Sequence, residues 1–320
     1  MLTILAAIFV FGVLVTVHEF GHFITAKLTG MRVDEFAIGF GPKLYQQKDG
    51  DTLYSLRAIP LGGYNKIAGM DPDDPVEPDS FKSKPIPARM LVILAGALMN
   101  FILPVILFSG IFMTQGMERL VNEPVLGTVV EEMAAGKAGL KAGDRIITIN
   151  GKEVKDWRSV VITLRDNGTK EVKLTAERNG VVKDYIMQPV FDDKAQRPLI
   201  GISPKFEKEK LGVGASVIEG FNYTKYILLA MVDGLKNIVL GKMSGDISGP
   251  IGVAQMAGQV AQEGMLPLIS FVAFLSINLG VINLLPLPAL DGGHFVLLVL
   301  EGLRGKPLGS KAMNLSLIHI

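Results

Sequence analysis

Three long apolar segments constrain the fold of this chain more than any other feature of its sequence. The first runs from Leu2 into a His-Glu cluster at residues 18–22, the second covers Met90–Met113 and the third covers Met265–Leu290. A helix needs about 20 apolar residues to cross the hydrocarbon core of a bilayer. The mean hydropathy of +0.38 is also high for a soluble protein. We therefore predict a multi-spanning α-helical membrane protein, with the lipid bilayer as a partner.

The first of these segments has neither a basic start nor a small-residue cleavage site. It is therefore expected to be a retained span and not a signal peptide. A weaker segment, Val217–Leu240, is interrupted by four charged side chains. This pattern predicts an amphipathic helix that lies on a membrane or on other helices.

Basic residues indicate how the spans are oriented. The stretch 27–89 carries nine Lys and Arg side chains, whereas none precedes the first span. Cytoplasmic loops carry an excess of such residues. This stretch is therefore expected in the cytoplasm, with the residues that follow the second span outside, in a protein of the inner (cytoplasmic) membrane.

Net charge and cysteine content exclude several classes of function and site. A net charge of +1 gives no basic surface of the kind that binds nucleic acid, so no nucleic-acid partner is expected. The chain has no cysteine, which excludes a disulfide framework and thiolate metal sites. A metal ion would have to be held by His, Asp or Glu.

The cluster that ends the first apolar segment has the spacing of a metal site. His18 and His22 are four residues apart, so on a helix they share one face, and Glu19 lies beside them. A zinc ion lowers the pKa of a bound water to about 7, and a neighbouring carboxylate can act as general base. The alternative is a pair of helix histidines bonded to backbone or water. Unpaired ionisable groups are costly within a span, which favours the zinc interpretation.

A catalytic zinc site needs a third protein ligand. Asp291 ends the uncharged third segment and would need a cationic partner at membrane depth, so we favour it. His294 is the rival ligand. Gly292 and Gly293 are expected to break the helix between them. A role for Asp291 as a helix C-terminal cap or an interfacial residue is the alternative.

Asn283, Pro286 and Pro288 precede this carboxylate. Two prolines near the end of a span leave backbone groups without partners, and these must be satisfied within protein or a cavity. One interpretation is an ordinary kink. The other is an unwound segment that holds an extended peptide through a side-chain amide and free backbone groups.

Two further regions have strand patterns. Residues 53–70 alternate like a strand but contain Pro60 and a Gly-Gly pair, which predicts a hairpin or a kinked edge strand. Residues 121–190 contain several short strand patterns and one helical stretch, which predicts a small β-rich domain. The predicted organisation is an N-terminal membrane part (1–120), this β-rich domain (121–190), an amphipathic helix with a connector (191–264) and a C-terminal membrane part (265–320).

These motifs resemble the site-2 protease family of intramembrane zinc metalloproteases, and most closely its bacterial regulator-of-sigma-E branch with a single PDZ domain. The resemblance extends from residue 1 to about 309, with motifs in the family's order. It rests on "HEFGH" (18–22), "FAIGFGPKL" (36–44), "IPLGGYNKI" (59–67), "AGLKAGDRIITING" (138–151), "SGPIGVAQMAG" (248–258) and "NLLPLPALDGG" (283–293).

The resemblance implies roles for individual residues. His18, His22 and Asp291 would bind zinc, Glu19 would be the catalytic base, and Asn283 would contact substrate within its proline motif. It further implies that the 53–68 segment is a membrane-associated β-hairpin that aligns substrate as an added strand. Substrate contacts are therefore expected at Asn283, Pro286 and Pro288 and, on the hairpin, at Gly62, Gly63 and Tyr64.

There are two departures from the family. Asn65 stands where the family usually has an apolar residue. The family also ends with a fourth spanning helix, and residues 310–320 are too short and too polar to form one.

The function expected from this resemblance is intramembrane cleavage of single-span membrane proteins, such as anti-sigma factors or remnant signal peptides. An upstream site-1-type protease would first trim their outer domains, and the extracytoplasmic PDZ-like domain would exclude untrimmed ones. Two alternatives stay open. One is a catalytically silent membrane scaffold that binds tails through the PDZ-like domain. The other is a transporter, since ionisable residues in spans also mark ion paths.

Overall fold

The computed structural model describes residues 1–71, 73–192, 197–242 and 249–306 of the 320-residue chain. Residues 310–320, where the fourth span of the family is expected to be missing or truncated, lie outside these residues. The chain divides into two compact units, one formed by Met1–Thr114 with Gly212–Ile320 and the other by Gln115–Leu211.

The helices and strands are numbered in chain order. The helices are α1 (Leu2–Leu28), α2 (Ile86–Gln115), α3 (Ala134–Lys137), α4 (Trp157–Asn167), α5 (Val213–Val239), α6 (Pro250–Glu263), α7 (Met265–Asn283) and α8 (Asp291–Arg304). The strands are β1 (Val33–Asp49), β2 (Thr52–Ile67), β3 (Met117–Leu120), β4 (Leu126–Val129), β5 (Arg145–Ile149), β6 (Lys152–Glu153), β7 (Val172–Arg178), β8 (Val181–Met187), β9 (Val190–Asp192), β10 (Arg197–Leu199), β11 (Ile202–Pro204) and β12 (Phe206–Glu209).

Among the described residues of the first unit, three helices are long and apolar enough to cross a membrane. They are α1, α2 and α7, with mean hydropathies of 2.1, 2.6 and 2.2 over their most apolar windows. Each corresponds to an apolar segment of the sequence. The third helix is shorter than the predicted segment because it ends at Asn283, and the chain becomes helical again only at Asp291. Pro286 and Pro288 lie in this break, where proline's missing N–H removes no helical hydrogen bond.

Helices α1 and α2 approach closely because glycines lie where they meet. A Cβ atom on Gly21 would lie 2.4 Å from the backbone oxygen of Ala95, and one on Gly96 would lie 2.3 Å from Nε2 of His22. Small residues at helix contacts let two backbones come together without loss of packing. The histidine-bearing face of α1 therefore lies directly against α2.

Strands β1 and β2 form a bent antiparallel hairpin that pairs with itself twice. Phe36 of β1 is paired with Tyr54 from the start of β2 and with Asn65 from its end. The sheet is therefore three strand segments wide here, with β1 between the start and the end of β2. Residues 63–67 form one edge of this sheet. This edge lies beside α1, and within the described chain no strand pairs with its outer side.

The second unit is β-rich. Its four-stranded sheet has the order β6-β5-β7-β8, and α4 covers a core that includes Ile146, Ile149, Val160 and Leu174. The unit extends beyond the predicted 121–190 because β12 pairs with β3 and β11 pairs with β4, which brings residues after 190 back to the start of the unit. Strands of three or four residues are too short to show alternation, so the sequence pattern did not reveal these pairs.

A buried ion pair fixes the loop that precedes β5. The side chain of Asp144 is 1% exposed, and its two oxygens accept hydrogen bonds from Nε and Nη2 of Arg178 at 2.6 and 2.7 Å. The backbone N–H of Lys141 also donates to this carboxylate at 2.9 Å. Burial alone would raise the pKa of Asp144, but these hydrogen bonds hold it below its ordinary value. This pair stabilises the unit only while Asp144 is charged.

The first prediction concerns this pair. A carboxyl group whose pKa is lowered by folding stabilises the fold above its ordinary pKa and loses that contribution as the pH falls through the folded value. Wild-type stability should therefore decline below about pH 4, and Asp144→Asn should cost about 2 kcal/mol at pH 7. The variant should also show a flatter pH profile below pH 4.

Trp157 is the single tryptophan of the chain and is buried in the core of the second unit, so its fluorescence in urea reports on this unit. Asp166→Asn, at an exposed carboxylate, is the control and should unfold like wild type. Equal stability of Asp144→Asn and wild type at pH 7 would contradict the assignment.

The second prediction tests the close approach of α1 and α2. Gly21→Ala should lower the free energy of unfolding by about 1–3 kcal/mol, because the new methyl group meets backbone that cannot move aside. Gly110→Ala is the matched control on α2. Its Cβ would meet nothing within 4 Å, so helix propensity alone should raise stability by up to about 1 kcal/mol. Unfolding in mixed micelles, followed by helical circular dichroism, measures the free energy of unfolding of both variants. Equal changes in the two variants would refute the packing argument.

Candidate active site

Three ligand-type side chains from distant parts of the sequence converge in the first unit. Nε2 of His18 and Nε2 of His22, both on α1, lie 3.2 Å apart. Oδ2 of Asp291, in the first turn of α8, lies 3.4 Å from the first nitrogen and 3.6 Å from the second. Their side chains are only 12%, 10% and 18% exposed. These are the three residues that the sequence analysis predicted as metal ligands.

The position of His22 follows from its other ring nitrogen. Its Nδ1 lies 2.8 Å from the backbone oxygen of Val92 on α2. A carbonyl oxygen can only accept, so Nδ1 carries the proton and Nε2 presents a lone pair. Gly96, one turn further along α2, leaves room for this ring. The neighbouring helix thus sets both the tautomer and the orientation of His22.

His18 is oriented by amide side chains. Its Nδ1 lies 3.1 Å from the Asn100 side-chain amide and 3.4 Å from that of Asn283. Oδ1 of Asn100 is buried and has no hydrogen-bond partner in the described chain. Turning this amide by half a turn lets His18 Nδ1–H donate to that oxygen, which leaves Nε2 with a free lone pair. Both histidines can then offer Nε2 on the same side.

The three ligand atoms fit one zinc ion. Tetrahedral zinc with bonds of about 2.0–2.1 Å requires ligand atoms about 3.4 Å apart, and the observed separations are 3.2, 3.4 and 3.6 Å. Oδ2 of Asp291 is buried and, within the described chain, has no hydrogen-bond partner. Such an oxygen is costly unless a cation or a donor compensates it. The nitrogen and oxygen donors are also of the type that zinc binds.

Glu19 lies next to this cluster and faces the same cavity. The cavity has a volume of about 520 Å³ and is lined by the three ligand-type residues, Glu19, residues 64–67 of β2, residues 289–291 and His294. Oε2 of Glu19 accepts a hydrogen bond from the Asn65 side chain at 2.8 Å. A carboxylate at this place can exchange protons with a molecule in the cavity.

The residues predicted to bind substrate fall into two groups. Asn283 and Tyr64 line the cavity. Gly62, Gly63, Pro286 and Pro288 are not among its lining residues. The glycines instead allow close packing inside the hairpin, because a Cβ would meet the Phe40 ring at Gly62 and the Ala37 backbone oxygen at Gly63. The prolines lie exposed in the break between α7 and α8.

Two interpretations of this region from the sequence are wrong. Gly292 and Gly293 do not break the helix between Asp291 and His294, because all four residues belong to α8. The glycines are needed for packing, since a Cβ at Gly292 would meet the Leu284 backbone oxygen at 2.4 Å. The role of Asp291 as a C-terminal cap is also wrong, since it begins a helix. There the positive end of the helix dipole favours its negative charge.

Two residues near the site were not predicted as functional. Asn100 was detectable as an amide within an uncharged span, which is the kind of residue that marks function in membranes. Asn65 was noted only as a departure from the family. Its contact with Glu19 joins residues 46 positions apart, and no local pattern predicts such a contact.

Comparison with known proteins covers nearly the whole chain. The model of peptidase family M50 matches residues 6–319. A protein of Clostridium acetobutylicum is 39% identical in an alignment that covers 95% of this chain and 88% of the relative. The regulator of sigma-W protease RasP of Bacillus subtilis is 32% identical, with 96% of this chain and 91% of the relative covered. The zinc metalloprotease RasP of Bacillus licheniformis is 33% identical, with 96% of this chain and 92% of the relative covered.

Among solved structures, the PDZ domain of an SdrC-like protein from Listeria monocytogenes aligns with 28% of this chain and 93% of its own. The identity is 20% and the TM-score is 0.24, so this likeness carries no conclusion. The family match, in contrast, extends over nearly the whole chain and includes the His-Glu cluster, the break before α8 and Asp291. As the sequence motifs implied, the chain belongs to peptidase family M50, whose members are zinc-dependent metalloproteases.

Proposed function

We propose that this protein is a multi-spanning intramembrane endopeptidase that cuts the membrane segments of single-span proteins with the help of one zinc ion. The observation that carries the proposal is the meeting of His18, His22 and Asp291 within 3.6 Å of one another, with Glu19 beside them. The site is built on α1, which is long and apolar enough to span a bilayer. Family membership supports the peptidase class.

The location of the site within the membrane is supported by the apolar surface around it. Only 22% of the most apolar window of α1 is buried inside the protein, although this window has a hydropathy of 2.1. Large exposed apolar faces are unfavourable in water and favourable in lipid. We place the protein in the inner membrane. By the distribution of Lys and Arg, the hairpin is cytoplasmic and the β-rich, PDZ-like domain is extracytoplasmic.

The roles of the residues follow from their contacts. His18, His22 and Asp291 hold the metal, which when bound supplies a Lewis acid and lowers the pKa of water. Val92 and Asn100 keep the two imidazoles in the orientation that binding needs. Glu19 is the general base: it takes the proton of the attacking water and then passes it to the amine nitrogen of the departing peptide.

The edge of the hairpin provides a place for an extended substrate. Residues 64–67 line the cavity, and the outer side of this edge has no strand partner in the described chain. A substrate segment that adds as a strand gains main-chain hydrogen bonds whatever its sequence. Tyr64 contacts this segment from β2, and Asn283 contacts it from the end of α7. Gly62 and Gly63 act by shaping the strand, and Pro286 and Pro288 by keeping the segment before Asp291 unwound.

The substrates are single-span membrane proteins, among them anti-sigma factors and remnant signal peptides. The name of the Bacillus subtilis relative, a regulator of sigma-W protease, supports a role in such a pathway. An upstream site-1-type protease first removes the outer domain of the substrate. The PDZ-like domain excludes substrates that have not been trimmed in this way.

The third prediction tests the general base. Glu19→Gln should abolish cleavage of a model single-span substrate in reconstituted vesicles, because an amide cannot take up the proton of the attacking water. The zinc content, measured by elemental analysis, should stay near one ion per chain, because Glu19 is not among the metal-ligand residues. Removal of the metal with a chelator should likewise abolish cleavage by wild type.

Glu153→Gln, an exposed change on β6, is the control and should cleave like wild type. Undiminished cleavage by Glu19→Gln would refute the general base. Absence of cleavage by zinc-loaded wild type, combined with binding of substrate tails, would favour the scaffold alternative over the peptidase.

The fourth prediction concerns the orientation of His18. Asn100→Leu should weaken zinc binding by about 10- to 100-fold, since a group that orients a metal ligand contributes about this much to affinity. Competition with a chromogenic chelator measures the change. The Asn100 backbone oxygen, which accepts from Ser276 Oγ at 2.8 Å, is retained in the variant. Thr114→Val, at the exposed end of α2, is the control, and equal zinc affinity of Asn100→Leu and wild type would contradict the role of the amide.

A further inference from the structure

The carboxylate of Glu19 is held by one side chain that does not belong to the metal site. Asn65 on β2 donates from Nδ2 to Oε2 of Glu19 at 2.8 Å and to the Glu19 backbone oxygen at 2.5 Å. In the described chain Asn65 is the only residue that donates a hydrogen bond to this carboxylate. The bond therefore connects the helix that carries the general base to the edge strand of the hairpin.

The orientation of the Asn65 amide follows from its surroundings. Both atoms that face it on Glu19 are oxygens that can only accept, so the amide nitrogen must point toward them. Its own oxygen, Oδ1, is buried and has no hydrogen-bond partner in the described chain. A buried acceptor without a partner destabilises a protein. On grounds of stability alone an apolar residue would be better here, which indicates that the amide is retained for its contact with Glu19.

The strand that carries Asn65 is fixed on its inner side. Asn65 pairs with Phe36 of β1. The ring of Phe36 packs against the ring of Phe23 with centroids 5.0 Å apart, and Phe23 lies one turn after Glu19 on α1. Apolar contacts of Phe23 and the polar contact of Glu19 therefore join the same face of α1 to the hairpin. The polar contact is directed at the reactive end of the Glu19 side chain.

We propose that Asn65 is a positioning residue for the general base. It holds the flexible Glu19 side chain toward the cavity and makes the position of the base depend on the strand that receives substrate. This inference rests on the proposed role of Glu19. Asn65 itself contacts neither the metal ligands nor the bond that is cut.

Two substitutions of nearly equal size separate the donor from the volume of the side chain. Asn65→Leu removes the donor, and Asn65→Asp replaces it with an oxygen that repels both acceptors on Glu19. We expect kcat of Asn65→Leu to fall about 10- to 100-fold, the cost of a small displacement of a reacting group. The kcat of Asn65→Asp should fall at least as far. KM should stay within about twofold, and zinc content should stay near one ion per chain. The reason is that the substitution changes neither the main-chain groups of the edge strand nor the metal ligands.

Gln47→Leu is the matched control, since it changes an exposed amide elsewhere on the same hairpin. A second readout needs no bound metal. The infrared carboxylate band of Glu19, identified as the band lost in Glu19→Gln, should shift in chelated Asn65→Leu and stay in place in Gln47→Leu. A merely structural role for Asn65 would raise KM or lower zinc content and leave this band unchanged.

The combination with Glu19→Asp completes the test. The carboxylate of this variant is withdrawn from the Asn65 amide by one methylene, which weakens their hydrogen bond, so Asn65→Leu should reduce the residual activity less than twofold in this background. A full additional loss there, or wild-type kcat and an unshifted band in Asn65→Leu, would overturn the inference. Failure of the proposed function is a separate result, since it would appear as absence of cleavage by zinc-loaded wild type, and failure of the general base would appear as undiminished cleavage by Glu19→Gln.

Discussion

The contact of Asp291 with the two imidazoles is the interaction on which the rest of the structure depends. An acidic side chain among apolar helices is unfavourable unless a cation or a donor compensates it, and the histidines alone do not provide a donor when both offer lone pairs. The packing of the helices must therefore bring the start of α8 into contact with α1. Gly96, Gly292 and Gly293 serve this requirement, because each leaves a place where backbone or a ring must come close.

A second consequence is that the site is assembled from elements with different origins. The candidate metal ligands come from two helices, and α2 orients both histidines. The hairpin contacts the carboxylate that we propose as the base. The hairpin is tied to α1 through the Phe23–Phe36 ring contact and the Asn65–Glu19 hydrogen bond. In the proposed mechanism, substrate binding along the edge of the hairpin and proton transfer at Glu19 are thus linked through the single side chain of Asn65.

Local patterns explain what the sequence could predict. The spacing of His18 and His22 and the apolar runs of α1, α2 and α7 are properties of neighbouring residues, so helical periodicity reveals them. Asp291 was predicted for a different reason, since an isolated carboxylate at the end of an uncharged run needs a partner. The contacts of Asn65 and Asn100 join residues 46 and 82 positions apart and depend on how elements pack. The continuous helix through Gly292 and Gly293 was missed because packing against residues 284–288 overrides their low helix propensity.

In the proposed function, the edge at residues 64–67, which has no strand partner on its outer side in the described chain, has a consequence for where cleavage falls. Main-chain hydrogen bonds distinguish poorly between side chains, so an edge strand of this kind has low sequence selectivity. A membrane segment, however, must give up its own helical hydrogen bonds before it can pair there. The choice of substrate would then depend on how readily each membrane segment unwinds. Segments with glycine, proline or β-branched residues near the scissile bond would bind most readily.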